Sequence, residues 1–309
     1  MSVAEADNPV TGQIEDLLER VRPKANSLIV TVLGDAIMPR GGSIWLSDLM
    51  GLMSLFGLSD RLVRTGVYRL SQEGWLTSRS VGRRAQYSLS EAGFAQFMAA
   101  GTRIYSTALP RSTDTWTLVQ GTPDISQTER QSLRRRLRWH GFGQISTTLM
   151  ALPGPEPEGL SVDLKAEDLD KKVLIFRSEL AGQNAQANMK AAAAAAWPLD
   201  ELNRDYANFV DLFSGLDHGE LSTHTPSAAF ALRVLLIHEY RRILLKDPHL
   251  PADLLPEPWM GSEAFRLSAS LYKQVAEKSD TFLNLHTAED QTDPPALSED
   301  YWYRFGGLR

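Results

Sequence analysis

Arg61, Arg64, Thr65 and Tyr68 fall at i, i+3, i+4 and i+7, the spacing that places four side chains on one face of a helix. Arginine can offer two parallel N–H groups to guanine O6 and N7, while threonine and tyrosine can meet phosphates or thymine methyls. Phosphate contacts would set affinity and base contacts would set sequence choice. Arg79, Arg83 and Arg84 follow around a glycine, where an arm could lie on a duplex backbone or in its minor groove. Alone, each group reads more readily as a solvated arginine face. In this order they point to double-stranded DNA.

Two other basic groups remain open. His238, Arg241, Arg242 and Lys246 cluster in an otherwise apolar segment, which suits either an anion site for a ligand phosphate or carboxylate, or ion pairs that hold helices together. Arg130, Arg134, Arg135, Arg136 and Arg138 crowd the stretch 127–139, which could meet DNA phosphates or the acidic part of the same chain. Signals for catalysis are missing. His238-Glu239 lacks a second histidine at zinc-protease spacing, because position 242 is arginine. His218 and His224 read as surface histidines, and no phosphate-binding glycine loop or nucleophile elbow occurs. There is no cysteine, which excludes disulfides and thiolate sites and fits a reducing cytoplasm. No metal, cofactor, membrane span or secretory signal is expected.

The elements that must position these residues can be read from periodicity and turn signals. Leu28, Ile29, Val32, Leu33 and Ile37 recur at helical spacing, and Pro39-Arg40-Gly41-Gly42 breaks the chain before a short strand at 44–46. Ser47 can cap a helix ended by Gly57, and Ser59 can cap the helix 60–73 two residues later. On that helix Leu62, Val63, Val67 and Leu70 are expected to face inward. Residues 75–78 and 86–89 flank Val81-Gly82-Arg83-Arg84 as a hairpin, and Ser90 caps a further helix. Residues 112–155 read as strand, helix, strand, with Leu133, Leu137 and Trp139 anchoring the basic helix and a third strand at 173–176. From about 185 the chain is helical, with the alanine run 191–196 as a strong helix former and Pro198 restarting it.

Charge divides along the same line. Residues 25–140 carry 14 Lys+Arg against 8 Asp+Glu, a net of +6, whereas residues 156–309 carry 15 against 25, a net of −10. A basic half joined to an acidic half is what a polyanion-binding module fused to something else looks like.

Several blocks in order resemble one family. They include Arg40-Gly-Gly-Ser-Ile-Trp-Leu, Val63-Arg-Thr-Gly-Val-Tyr-Arg-Leu, Glu73-Gly-Trp-Leu, Gly141-Phe-Gly and Leu149-Met-Ala-Leu-Pro. The longest runs from Leu236-Ile-His-Glu-Tyr-Arg-Arg through Trp259-Met-Gly, and Arg304-Phe-Gly-Gly-Leu closes the set. The chain resembles the PaaX-like repressors of phenylacetic acid catabolism over nearly its whole length. That resemblance implies an α+β protein with a winged helix-turn-helix DNA-binding domain at 25–108, a ferredoxin-like (Cas2-like) domain at 109–182 and a helical effector and dimerisation domain at 183–309. It implies a homodimer that represses an aromatic-acid operon at a palindromic operator and is released by an aryl-CoA thioester such as phenylacetyl-CoA. Trp197-Pro198-Leu199 departs from the family pattern, and 155–195 and 285–300 match it poorly. The competing readings are a Cas2-like nuclease, a CoA-thioester-processing enzyme and a scaffold whose winged helix binds protein.

Overall fold

The computed structural model describes residues 12–106, 115–157, 159–182, 184–216, 221, 224–287 and 296–308. They belong to two compact units: Met1–Thr107 with Ala207–Leu245 and Gly261–Arg309, and Ala108–Tyr206 with Lys246–Met260. The helical stretch expected as one domain over 183–309 is shared between them.

The first unit opens with helices α1 (Gly12–Val21) and α2 (Ala25–Val32). A five-residue π-helical turn, Leu33–Ile37, and a 3-10 turn, Met38–Arg40, follow. The predicted apolar face is buried, but the widened turn was not legible from spacing, and it carries Asp35 in the interior. Gly41 (φ 89°) and Gly42 (φ 71°) then reverse the chain into β1 (Ser43–Trp45). Helix α3 (Leu46–Ser54) starts directly after Trp45, so Ser47 does not cap it; its hydroxyl donates to Asp48 instead. Helix α4 (Asp60–Gln72), strands β2 (Leu76–Val81) and β3 (Arg84–Leu89) and helix α5 (Glu91–Tyr105) complete this part. β3 lies between β1 and β2 in an antiparallel sheet. The pair Val81↔Arg84 leaves Gly82-Arg83 as a two-residue turn, with φ 60° at Gly82, where hairpin twist requires it. The predicted Ser90 cap forms: its Oγ accepts from the Gly93 N–H at 2.9 Å.

The second unit runs β4 (Thr115–Gly121), α6 (Gln127–Trp139), β5 (Gly143–Gln144), β6 (Leu149–Pro153), α7 (Leu160–Ala166) and β7 (Val173–Glu179). Its antiparallel sheet has the order β5-β6-β4-β7. The single strand expected over 144–152 is a hairpin, and the acidic stretch before β7 contains a helix. Val119 and Met150 pack under Leu133, Leu137, Leu160 and Leu164 on one face of the sheet. Trp116 and Ala151 on the other meet Met189 and Ala193 of α8 (Ala185–Ala196), Trp197, and Leu250 and Leu254. Trp139 was expected to anchor α6, yet it is 83% exposed: it sits two residues beyond Leu137, on the opposite side of the helix.

Helix α9 (Leu199–Ser214) leads the chain back to the first unit, where α10 (Pro226–Leu244), α11 (Gly261–Thr287) and the short α12 (Glu299–Trp302) follow. Thr225 caps α10 and Pro226 opens its first turn, as their types favour. α10 is buried on nearly all sides, including Arg233.

Arg233 belongs to a buried ionic cluster. Its Nε donates to Asp35 Oδ2 at 2.6 Å and its Nη1 to Asp280 Oδ1 at 2.8 Å. Arg304 Nη1 reaches Asp35 Oδ1 at 3.0 Å, and Arg40 Nη2 reaches Asp280 Oδ1 at 2.9 Å. The phenols of Tyr105 and Tyr272 donate to Asp35, and that of Tyr301 to Asp280. Burial would raise the Asp35 carboxyl, but Arg233 and Arg304 outweigh it and hold it below its ordinary value; Arg233 and Arg40 do the same for Asp280.

Removing one partner of such a cluster leaves buried charge uncompensated. Asp35→Asn is therefore expected to cost about 3–5 kcal/mol in urea unfolding, whereas Asp60→Asn, at the exposed pair with Arg64, should stay within about 0.5 kcal/mol. Equal effects at the two positions would remove the cluster from its structural role.

Candidate nucleic-acid interface

Helix α4 is held by its apolar face. Val63, Gly66, Val67 and Leu70 are buried. Glycine at 66 makes room for α2: a Cβ there would stand 2.5 Å from Ile29 Cδ1 and 2.9 Å from Asn26 Oδ1, so both side chains would have to shift. Leu62, expected inside, is 48% exposed, because it lies at the edge of the buried face, beside Arg69 around the helix.

The opposite face carries the predicted set. Arg61, Arg64, Thr65 and Tyr68 are all exposed, Tyr68 at 63%. Arg69, four residues after Thr65, shares their face and was missed, although the same i+4 spacing could have found it. Thr65 Oγ1 donates to Arg61 O at 2.9 Å, which leaves its lone pairs facing outward. Arg64 lies 3.6 Å from Asp60, an exposed contact that salt and water screen.

The hairpin divides its arginines. Arg79 and Arg83 are exposed, and Arg79 Nη2 donates to Gln86 Oε1 at 3.2 Å. Arg84 is half-buried: its guanidinium lies 4.4 Å over the Trp45 ring and 3.7 Å from Asp48 Oδ1. It ties the base of the hairpin to β1 and α3.

The arginines of α6 are largely engaged within the second unit. Arg136 pairs with Glu167, Arg134 Nη2 donates to Thr147 O at 2.6 Å, Arg135 to Ser132 and Arg138 to Gln144. Ser126 and Glu129 form a capping box at its start.

Of the other four cationic candidates, the structure brings His238 and Arg241 together on Thr31 of α2, while Arg242 and Lys246 have separate partners. His238 is buried, with Nδ1 3.1 Å from Thr31 Oγ1 of α2. Arg241 donates from Nε to Thr31 Oγ1 at 2.8 Å and from Nη2 to Ser27 O at 2.7 Å. Burial brings its pKa down to about 10, so it stays charged at neutral pH. Arg242 is exposed and paired with Glu239 at 2.8 Å, while Lys246, in the second unit, lies 4.0 Å from Asp205. His218 lies outside the described residues, and His224 is buried rather than at the surface. Among the described residues no helix is long and apolar enough to cross a membrane.

With this geometry in view, the mixed α+β chain can be placed by comparison. It belongs to the PaaX-like family: the PaaX-like protein pattern matches residues 24–93, the PaaX protein central Cas2-like domain 110–190, and the PaaX-like protein C-terminal domain 197–285. The transcriptional repressor PaaX of Escherichia coli (strain K12) is 33% identical over 298 residues, covering 96% of this chain and 94% of that protein. Among solved structures, an uncharacterized protein from Mycobacterium tuberculosis shares the fold, with a TM-score of 0.54 and 20% identity over 84% of this chain and 99% of that one.

His238 supplies a pH signature. Burial, reinforced by Arg241 and Arg242, pulls its pKa from the ordinary 6.5 down to about 3. The unfolded chain therefore takes up a proton that the folded chain refuses. The contribution is fully present above about pH 6.5 and is lost as pH falls from there toward about 3. Urea midpoints should drop between pH 7 and 5 with an uptake of about one proton on unfolding, and His238→Gln should flatten that slope. An unchanged slope in the variant would assign the acid sensitivity elsewhere.

Proposed function

We propose that this chain is a transcriptional repressor that reads a double-stranded operator through a winged helix-turn-helix. In this reading α4 enters the major groove with Arg61, Arg64, Thr65 and Tyr68, and Arg69 adds to that face. Arg79, Arg83 and the exposed part of Arg84 follow the backbone or the minor groove beside it. The observation that carries the reading is the outward face of α4, cationic and hydroxyl-bearing, above a back fixed to α2 by Gly66. The Escherichia coli relative's role as a transcriptional repressor supports it, and so does the arrangement of α3 and α4 beside a tight hairpin. We extend the proposal to repression of an aromatic-acid operon with release by an aryl-CoA thioester, and to a cytoplasmic, non-enzymatic role; the resemblance to the PaaX-like repressors supports this extension.

A homodimer fits a palindromic operator. The β-α-β-β-α-β second unit, read as ferredoxin-like, offers a seam for it. β7 is the last strand of its sheet, and Leu174, Ile175 and Phe176 on it are exposed by 39–46%. Antiparallel pairing of two copies centred on Ile175 would set Leu174 opposite Phe176 and Lys171 opposite Glu179, a self-complementary register.

Arg64→Ala should weaken operator binding about ten- to hundredfold in a gel-shift titration, the range of about 1–3 kcal/mol for a bidentate base contact. Arg83→Ala should weaken specific and non-specific DNA alike and lower the salt slope by about 1. Normal affinity in the Arg64 variant would sink the recognition-helix assignment. Phe176→Arg should yield monomers in sedimentation, and dimers that persist would move the seam away from β7.

A further inference from the structure

The basic helix α6 leaves one arginine over. Arg134, Arg135, Arg136 and Arg138 each have an acceptor in the second unit. Arg130 is half-buried and has no hydrogen-bond or ion-pair partner among the described residues. The carboxylates that α6 meets are engaged elsewhere: Glu129 accepts from Lys172 at 2.5 Å, Glu167 pairs with Arg136, and Asp163 lies 2.9 Å from His140. Arg130 and Arg134 stand one turn apart on one helix face, where two like charges oppose each other unless something negative lies between them.

Both line a cavity of about 150 Å³ in the second unit. Val119, Leu133 and Met150 of the apolar core form its inner wall. Thr122, at the end of β4 remote from Thr115, and Thr147 and Thr148, just before β6, bring hydroxyl groups to it. The Thr122 hydroxyl is engaged by Lys172 O at 3.1 Å, but those of Thr147 and Thr148 have no partner among the described residues. Arg134 Nη2 donates to Thr147 O at 2.6 Å, which fixes one guanidinium beside these two hydroxyls. No carboxylate lines the cavity.

We propose that this cavity binds a dianionic phosphate group, free or as the end of a monoester, with Arg130, Arg134, Thr147 and Thr148 as its donors. Two guanidiniums with no carboxylate between them match a double charge, and guanidinium geometry suits phosphate oxygens. A carboxylate brings one charge and two oxygens, too few for this donor set. A phosphodiester also brings one charge, so the cavity is not an extension of a duplex-backbone track. Its volume is below the roughly 300 Å³ at which drug-sized pockets begin, so it holds the phosphate and leaves the remainder of an ester outside. The site lies wholly in the second unit and does not rest on the operator reading, whose residues belong to the first.

The test is titration calorimetry on the full chain at constant ionic strength with inorganic phosphate, methyl phosphate, dimethyl phosphate and chloride. Inorganic phosphate is expected to bind and to raise Tm progressively with concentration, as a ligand of the folded state must. Methyl phosphate separates the two sources: equal binding assigns the end of an ester, and refusal assigns the free ion. Dimethyl phosphate and chloride, with one charge each, should bind about tenfold more weakly or not at all. Affinity for the dianion should fall as pH drops from about 7.5 to about 5, through the second phosphate ionisation near about 6. Arg130→Gln removes a side chain with no partner in the protein, so it should fold and weaken binding by about tenfold or more. Arg138→Gln makes the same charge change outside the cavity and should stay within about twofold. No binding of inorganic phosphate, equal binding of dimethyl phosphate or chloride, or full binding in a folded Arg130→Gln chain would each overturn the proposal.

Discussion

Taking Asp35 and Asp280 out of water together with three guanidiniums carries a desolvation cost that only near-complete hydrogen bonding can offset. The donors and acceptors that meet this demand come from six places in the chain: the π-helical turn, the 3-10 turn after it, α5, α10, α11 and the C-terminal turns. Arg233 and Asp35 are 198 residues apart, and Arg304 and Asp35 are 269 apart. No subset of these segments can close the cluster alone. The first and last parts of the chain consequently form one unit, even though an entire sheet domain is inserted between them. Ion clusters of this kind do less for net stability than for specifying a single arrangement. Here the cluster ties together the helices that accompany the exposed cationic face of α4.

That face inherits its rigidity from the same source. α2 is continuous with the turn that carries Asp35, and Gly66 lets the Ile29 and Asn26 side chains of α2 seat directly against α4. On its other side α2 is gripped by α10 through Thr31 and Ser27, which receive His238 and Arg241. α4 is thus one step, through α2, from both α10 and the buried cluster. A ligand that shifts α10 relative to α2 would reach the proposed base-contacting residues without touching them, provided it binds the two arrangements with different affinity.

The parts of this architecture legible in the sequence are those governed by local periodicity. The α4 face, the Gly82 hairpin, the Ser90 cap and the bounds of the basic helix 127–139 each depend on residues within one or two turns of each other. What escaped depends on partners far along the chain. Arg40 reads as turn material beside two glycines, and nothing nearby announces Asp280 as its partner. The π-helical turn changes the register of an apolar repeat by one residue, too little to disturb the pattern that predicts the helix. Residues 143–153 contain enough β-branched and apolar side chains for one strand, and only the antiparallel pairing of Gly143 with Ala151 shows the reversal within them. The split of 183–309 between two units is likewise a property of packing, invisible in composition.

Burial also changes what the charge asymmetry means. Counting arginines along 25–140 credits them all to one basic surface, but the structure sorts them by what lies within reach. Arg40 is internal, Arg84 is spent on Trp45 and Asp48, and four of the five arginines of α6 have acceptors in their own unit. Arg61, Arg69, Arg79 and Arg83 have no carboxylate within ion-pair distance among the described residues, and Arg64 has only the screened contact with Asp60. Charges without a local counterion project their field into solvent, whereas paired ones largely cancel within a Debye length of roughly 8–10 Å. In the first unit α4 and the hairpin tip therefore contribute a local positive potential. In the proposed reading, a polyanion drawn in by that potential would arrive at the same side chains that would read its bases, so one surface would serve both steering and recognition.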